Sequence, residues 1–219
     1  MSRACPLCER PLFAWIALPA APGAASVGLP LASGPGEERV LERCESCGVA
    51  LERDREIELR DEWEAVCRAA PDGGREIAIP NRASLQAGIG VDGWAAIDLG
   101  PGRLLHTPRS LALLAERNEH RLESSRYPPF GRNQGWMWQT LLNGLTLHPN
   151  FAREVRAGRL RPSGGRGRAA FAIDLVVSVL AAPLVALVSV PLELAAALAG
   201  RGGEARARTA PAQDPASEL

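Results

Sequence analysis

The chain has 219 residues, with 25 acidic side chains balanced by 25 basic ones, every one of them arginine, so its formal net charge is zero. That balance removes the bulk electrostatic case for nucleic-acid binding, and no nucleic-acid partner is expected. The length allows one or two small domains.

The first block, residues 1–60, carries two Cys-x-x-Cys pairs: Cys5 and Cys8 in CPLC, Cys44 and Cys47 in CESCG. Two residues between cysteines let one tight turn aim both sulfurs at a point. Two such turns, brought together by a short sheet, supply the four thiolates of one tetrahedral structural zinc. Pro6 stiffens the first turn, and Gly48 stands after the second, where a left-handed backbone is often required. FAWIAL and EERVLER supply the strands of a β zinc ribbon, and PAAPGAAS and LASGPGEE between them read as loops. A redox pair or a set of reduced thiols is the alternative. Candidate ligands occupy the place of a signal-peptide core, so no signal peptide is read. Thiolate ligands suit a reducing cytoplasm. Cys67, inside the helical pattern EWEAVCRA, reads as a half-buried core thiol.

The second block, residues 61–134, begins with EIAIP, a short buried strand closed by Pro80, with Asn81 opening a turn. TPRSLALLAERN is a helix with Thr107 as its N-cap, Pro108 in the first position and an apolar face of Leu111, Leu113 and Leu114. HRLESS follows as a strand, which completes an α/β pattern. GIGVDG fits G-x-G-x-x-G by letter but follows SLQA and not a strand, so it fails the context of a dinucleotide turn. His106, His120 and His148 share no ligand spacing. His106 reads as a loop residue and His148 as the end of a helix.

The third block, residues 135–200, opens with the helix GWMWQTLLNGL. Trp136 and Trp138 pack there in a core or face an interface between apolar and wet regions. Between Asp174 and Glu193 lies LVVSVLAAPLVALVSVPL, with no charge in 18 residues. As a helix it reaches about 27 Å, near the hydrocarbon thickness of a bilayer. Pro183 and Pro191 would kink it, so a re-entrant or surface-lying helical hairpin competes with a span, and a buried helical pair with both. Arg153, Arg156, Arg159, Arg161, Arg166 and Arg168 precede it and suit anionic lipid headgroups. Arg201, Arg206 and Arg208 follow, so charge bias orients the segment only weakly. Residues 169–199 are therefore expected to associate with the inner face of the membrane. Residues 201–219 read as a disordered tail, with GGEARARTA open as a worn last strand and PAQDPASEL as the tail proper.

The order of several motifs carries a resemblance. Asp72, Gly73 and Gly74 precede the strand, and Ile79, Pro80, Asn81, Ser84 and Leu85 close it. Trp94, Ala96, Ile97 and Asp98 follow, then Thr107 through Leu111, and downstream RYPPFGRNQGWMWQTLLNGLTLHPNF. This succession resembles the later half of class I S-adenosylmethionine-dependent methyltransferases, of the bacterial kind with an N-terminal zinc ribbon. The resemblance implies an α+β chain: a β zinc ribbon, a partial Rossmann-like α/β layer and C-terminal apolar helices. It also implies methyl transfer by positioning and proximity, with S-adenosylmethionine as the cofactor. Members hold that cofactor on a glycine-rich turn after the first strand and an acidic residue ending the second. A half-Rossmann unit of that kind takes about 80–100 residues. Between Gly48 and Gly74 this chain offers one strand, one helix and no such turn. The expectation is a degenerate member that does not bind S-adenosylmethionine alone, with no catalytic residue assigned and its cofactor-binding residues unknown.

Three alternatives stand beside it. AAIDLGPG, with Glu116 or Glu119 as ribose partner, would be the cofactor turn of an active enzyme. The family's Pro-Arg-His trio falls on Gly100, Pro101 and Gly102, none of them kept. The chain would otherwise be a zinc-ribbon, membrane-tethered docking or assembly module for a protein partner, or a homodimer in which one copy covers another's strand edge.

Overall fold

The short apolar run FAWIAL forms strand β1 (Leu12–Leu18), which pairs antiparallel with β2 (Arg39–Cys44). A register shift between Ala14 and Ile16 places a bulge at Trp15. Strand β3 (Ala50–Glu52) lies on the other side of β2, giving the order β1-β2-β3. The computed structural model of the chain describes residues 3–18, 39–71, 74–97, 104–158, 160–162 and 164–212. The loops read at PAAPGAAS and LASGPGEE, the tail from residue 213, and Arg159 lie outside the described residues, as do Asp72, Gly73 and 98–103.

Helix α1 (Leu59–Val66) stops one residue before Cys67. Cys67 is not helical, as the pattern EWEAVCRA suggested, but opens strand β4 (Cys67–Ala69), paired with β5 (Arg75–Pro80). A short helix α2 (Leu85–Gly90) and a 3-10 turn at Val91–Gly93 follow. Helix α3 (Pro108–Arg117) has the expected start: the Thr107 side chain accepts from the Ser110 amide, and Ser110 Oγ accepts in return from the Thr107 amide. That reciprocal pair satisfies two amides left over at a helix start. Then come β6 (His120–Arg126), α4 (Arg132–Asn143), α5 (Phe151–Arg156), α6 (Gly164–Leu198) and β7 (Glu204–Pro211).

The second sheet has the order β4-β5-β7-β6, with every neighbouring pair antiparallel. Two expectations are corrected here. Residues 201–219 are not wholly a tail, because β7 is an inner strand of this sheet. The strand–helix–strand pattern also does not produce parallel neighbours among the described residues. The reason is visible along β7, where Ala205, Ala207 and Thr209 are buried while Arg206 and Arg208 face outward. A parallel sheet is covered on both faces; this one is dry on one face and wet on the other, as antiparallel sheets allow. The chain is thus mixed α+β, with two small antiparallel sheets and six α-helices among the described residues.

One core runs through both sheets. Leu7, Leu12, Val49 and Leu51 of the first pack in one cluster with Trp63, Ile77, Leu111, Leu114 and Ala207 of the second layer. The cluster crosses position 60 without a break. A second cluster gathers Ile16, Leu18 and Leu41 around Trp94, which is completely buried, with Trp15 and Trp136 at its margin.

Helix α6 is a single 35-residue helix that continues through Pro183 and Pro191. At 1.5 Å per residue it is about 52 Å long. It is not the hairpin that the prolines suggested, nor a buried helical pair, since only 17% of its apolar window is covered by the protein. The two prolines are themselves exposed. The side chains of α6 are distributed opposite to those of a water-soluble helix. Asp174, Ser178, Val185, Ser189, Glu193 and Ala196 face the protein, while Leu180, Leu184 and Leu187 are 75%, 65% and 72% exposed. Those buried positions recur at intervals of three, four or seven residues, which is one stripe of a helix.

Candidate metal centre

The two Cys-x-x-Cys segments are the same turn built twice. In the first, the Cys5 amide donates to the Arg10 carbonyl at 2.8 Å and the Glu9 amide to the Cys5 carbonyl at 2.9 Å. In the second, the Cys44 amide donates to the Val49 carbonyl and the Gly48 amide to the Cys44 carbonyl, both at 2.9 Å. Each turn needs a left-handed residue at the same place. Gly48 has φ +78° and Glu9 has φ +62°. The glycine was legible in the sequence as a turn marker; its counterpart was not, because glutamate carries no such signal.

Strands β1 and β2 close the two turns on each other, with Leu12 directly opposite Cys44. The Sγ atoms of Cys5, Cys8, Cys44 and Cys47 all lie within 4.8 Å of one another. Cys5 and Cys47 are 3.7 Å apart, Cys8 and Cys44 3.4 Å. All four are free thiols, three buried and Cys8 partly exposed. A tetrahedral ion bonded at about 2.3 Å to four sulfurs separates them by about 3.8 Å, so the cluster is already at the spacing a metal needs. The sequence-predicted ligand set is therefore brought to one point, as a site that can hold a metal ion.

The thiols differ in how readily they ionise. A hydrogen bond from Cys47 pulls Cys5 down to about 5 and holds the proton on Cys47, whose own value rises. Desolvation raises Cys8. Cys5 is thus the thiol on which negative charge settles first, and a cation replaces the remaining protons. Cys67 stands apart on β4, where burial pushes it up to about 12.

The second turn is held from behind by the segment that leads into α3. Thr107 Oγ1 donates to the Cys47 carbonyl at 2.7 Å, and Ala50 exchanges backbone hydrogen bonds with Leu105. Behind that segment, His106 Nε2 lies 3.1 Å from Glu62 Oε1, which also accepts from the Leu104 amide at 3.1 Å. Both side chains are 1% exposed. The expectation of a loop histidine holds for position but misses this buried pair, because Glu62 sits 44 residues away on α1.

The other proposed site does not take the expected form. Ala95, Ala96 and Ile97 form a buried turn and not a strand, so AAIDLGPG does not begin as a strand-then-glycine unit. Its remainder, with Gly100, Pro101 and Gly102, lies outside the described residues. GIGVDG falls on the end of α2 and the 3-10 turn, not after a strand. Glu116 is in the last turn of α3, and Glu119 has φ +59° in the link to β6.

A second set of buried polar groups, absent from any sequence motif, fastens α6. Asp174 accepts from the Leu147 amide at 2.6 Å, the His148 amide at 3.1 Å and His148 Nδ1 at 2.6 Å. Glu193 accepts from Gln86 Nε2 at 2.6 Å and the Gly203 amide at 2.8 Å. The chain matches no protein-family model, and no curated protein or solved structure matches it.

Proposed function

We propose that this chain is a zinc-holding, membrane-attached protein of methyltransferase-like descent, which serves as a docking or assembly module and does not use S-adenosylmethionine by itself. The observation that carries the reading is the inversion of α6. A helix that turns its two carboxylates and two serines inward and most of its leucines and valines outward is made for an apolar surrounding. The carboxylates Asp174 and Glu193 bracket the charge-free run, and both are 0% exposed.

The metal part rests on four thiols at tetrahedral spacing, and zinc is the ion that such a closed four-sulfur set suits. The ribbon acts in this reading as a structural staple, since its sulfurs share the core with Trp63 and Leu111. The descent rests on the motif order. The docking role is supported by how the titratable groups are engaged. Glu62, Asp174 and Glu193 accept from backbone amides inside the fold, and His106 pairs with Glu62. Thiolate ligands place the ribbon in a reducing compartment, which makes the inner, cytoplasmic face of the membrane the site of attachment.

The test has three measurements on the full chain. Metal analysis is expected to return one zinc per chain, and a Cys44→Ser variant that kept its zinc would sink the ribbon. Titration calorimetry with S-adenosylmethionine is expected to give no heat; saturable binding would replace the docking reading with the enzyme. Flotation with lipid vesicles is expected to carry the protein upward, and a monodisperse protein left behind would remove the membrane part.

A further inference from the structure

The inward stripe of α6 also decides how the helix sits. It runs from Asp174 to Ala196, so the folded body lies alongside the helix over most of its length. At the far end, Gln86 Nε2 bridges the Asn133 carbonyl of α4 and Glu193. At the near end, Leu147 and His148, just past α4, are bonded to Asp174. Helix α4 is therefore laid antiparallel along α6. A helix crossing the bilayer would carry α4 and the sheet edge into hydrocarbon with it. The middle of α4, where Trp138 Nε1 donates to the Ala182 carbonyl at 3.3 Å, would lie at mid-bilayer together with the polar Gln139 and Thr140.

The charges agree with this. Exposed Arg156, Arg161 and Arg168 stand at the start of α6, and exposed Arg201 just past its end. Arginines at both ends are ambiguous for a span, where one set would have to cross. They suit a helix whose two ends remain at one surface, each side chain reaching back to headgroups. Exposed apolar side chains flank the helix at both ends as well: Leu145 and Leu147 beside Asp174, Phe130 in the turn before α4.

We infer that α6 lies flat in the headgroup–acyl boundary of an anionic bilayer, its leucine and valine face in hydrocarbon and both arginine-bearing ends at the same surface. The inference rests on the membrane attachment proposed above and adds its geometry and lipid class. In-plane helices of this kind sink about 5–10 Å.

The test places a nitroxide, carried on p-acetylphenylalanine so that no cysteine is added, at Ile173, Leu180, Leu187 or Leu194 in turn. All four are exposed on α6. The full chain is bound to phosphatidylcholine–phosphatidylserine vesicles, and depth is read from oxygen against nickel-chelate accessibility. The expected result is one similar depth at all four sites. A profile deepest at Leu180 and Leu187 and shallow at the ends would mean a span and overturn the inference while leaving attachment intact. No immersion at any site would overturn the attachment itself. Spin–spin coupling between copies with no lipid contact would mean that a second chain covers the face, and would also overturn it. For the headgroup class, Arg156→Gln, Arg161→Gln and Arg168→Gln together are expected to weaken partitioning about a hundredfold on anionic vesicles. Equal partitioning of this variant and the parent would overturn the anionic requirement.

Discussion

Gln86 and Glu193 meet inside the protein at 2.6 Å, where the Gln86 amide group donates to the carboxylate and ties α2 to the far end of α6. The same nitrogen donates to the Asn133 carbonyl, and Gly203 completes the carboxylate's set. A Cβ on Gly203 would come within 2.3 Å of Gln86, so only glycine lets β7 start this close to the network.

Loss of that carboxylate should therefore hurt the fold more than loss of a large outward side chain. Glu193→Ala leaves the Gly203 amide without its acceptor and Gln86 Nε2 with the Asn133 carbonyl alone, an expected loss of about 2–4 kcal/mol. Leu187→Gln, at a 72% exposed position, is expected to change stability in detergent by no more than about 0.5 kcal/mol. Denaturant unfolding of both variants checks this. Equal losses would mean that α6 is held by its apolar face.

Gly203→Ala tests the same junction from the backbone side. The added methyl group has to displace the buried Gln86 side chain, and overpacking of this kind costs about 1–3 kcal/mol. A thermal melt unchanged from the parent would show that the junction yields freely.

The left-handed positions of the two cysteine turns should respond oppositely to gaining and to losing a side chain. Gly48→Ala puts a Cβ 2.8 Å from Thr107 Cγ2 on a backbone with φ +78°. Strain and overlap together should cost about 2–3 kcal/mol and loosen the metal. Glu9→Gly relieves a left-handed glutamate, worth about 1 kcal/mol. It gives up only an exposed pair with Arg117 at 3.1 Å, so stability should hold or rise slightly. Competition with a chromophoric chelator and unfolding curves report both.

Cys67 should be a slow thiol. Burial raises it from 9.0 to about 12, so at pH 8 only about one molecule in ten thousand carries the thiolate there. The folded state holds this proton more tightly than the unfolded chain. The associated stability is present below pH 9 and is lost as pH rises toward 12. Iodoacetamide at pH 8 followed by peptide mass spectrometry should find Cys67 modified far more slowly in the folded chain than in the denatured one. Early modification would contradict its burial.

The sequence by itself determined the four ligand candidates, the strands FAWIAL and EIAIP, and the capped start of α3. Each depends on neighbours a few residues apart: a two-residue turn between thiols, a short apolar run, a threonine before a proline. It also showed a charge-free run between Asp174 and Glu193. Only the tertiary structure decided which way that run faces, because hydropathy measures how apolar a helix is and not which side meets the protein. The same limit hid Glu62 behind His106, and Gln86 against Glu193, since those pairs are made by elements far apart in the chain. The place of β7 was hidden too. EARARTA alternates small and charged residues too weakly to look like an inner strand, and it becomes one because β5 and β6 present their free edges to it.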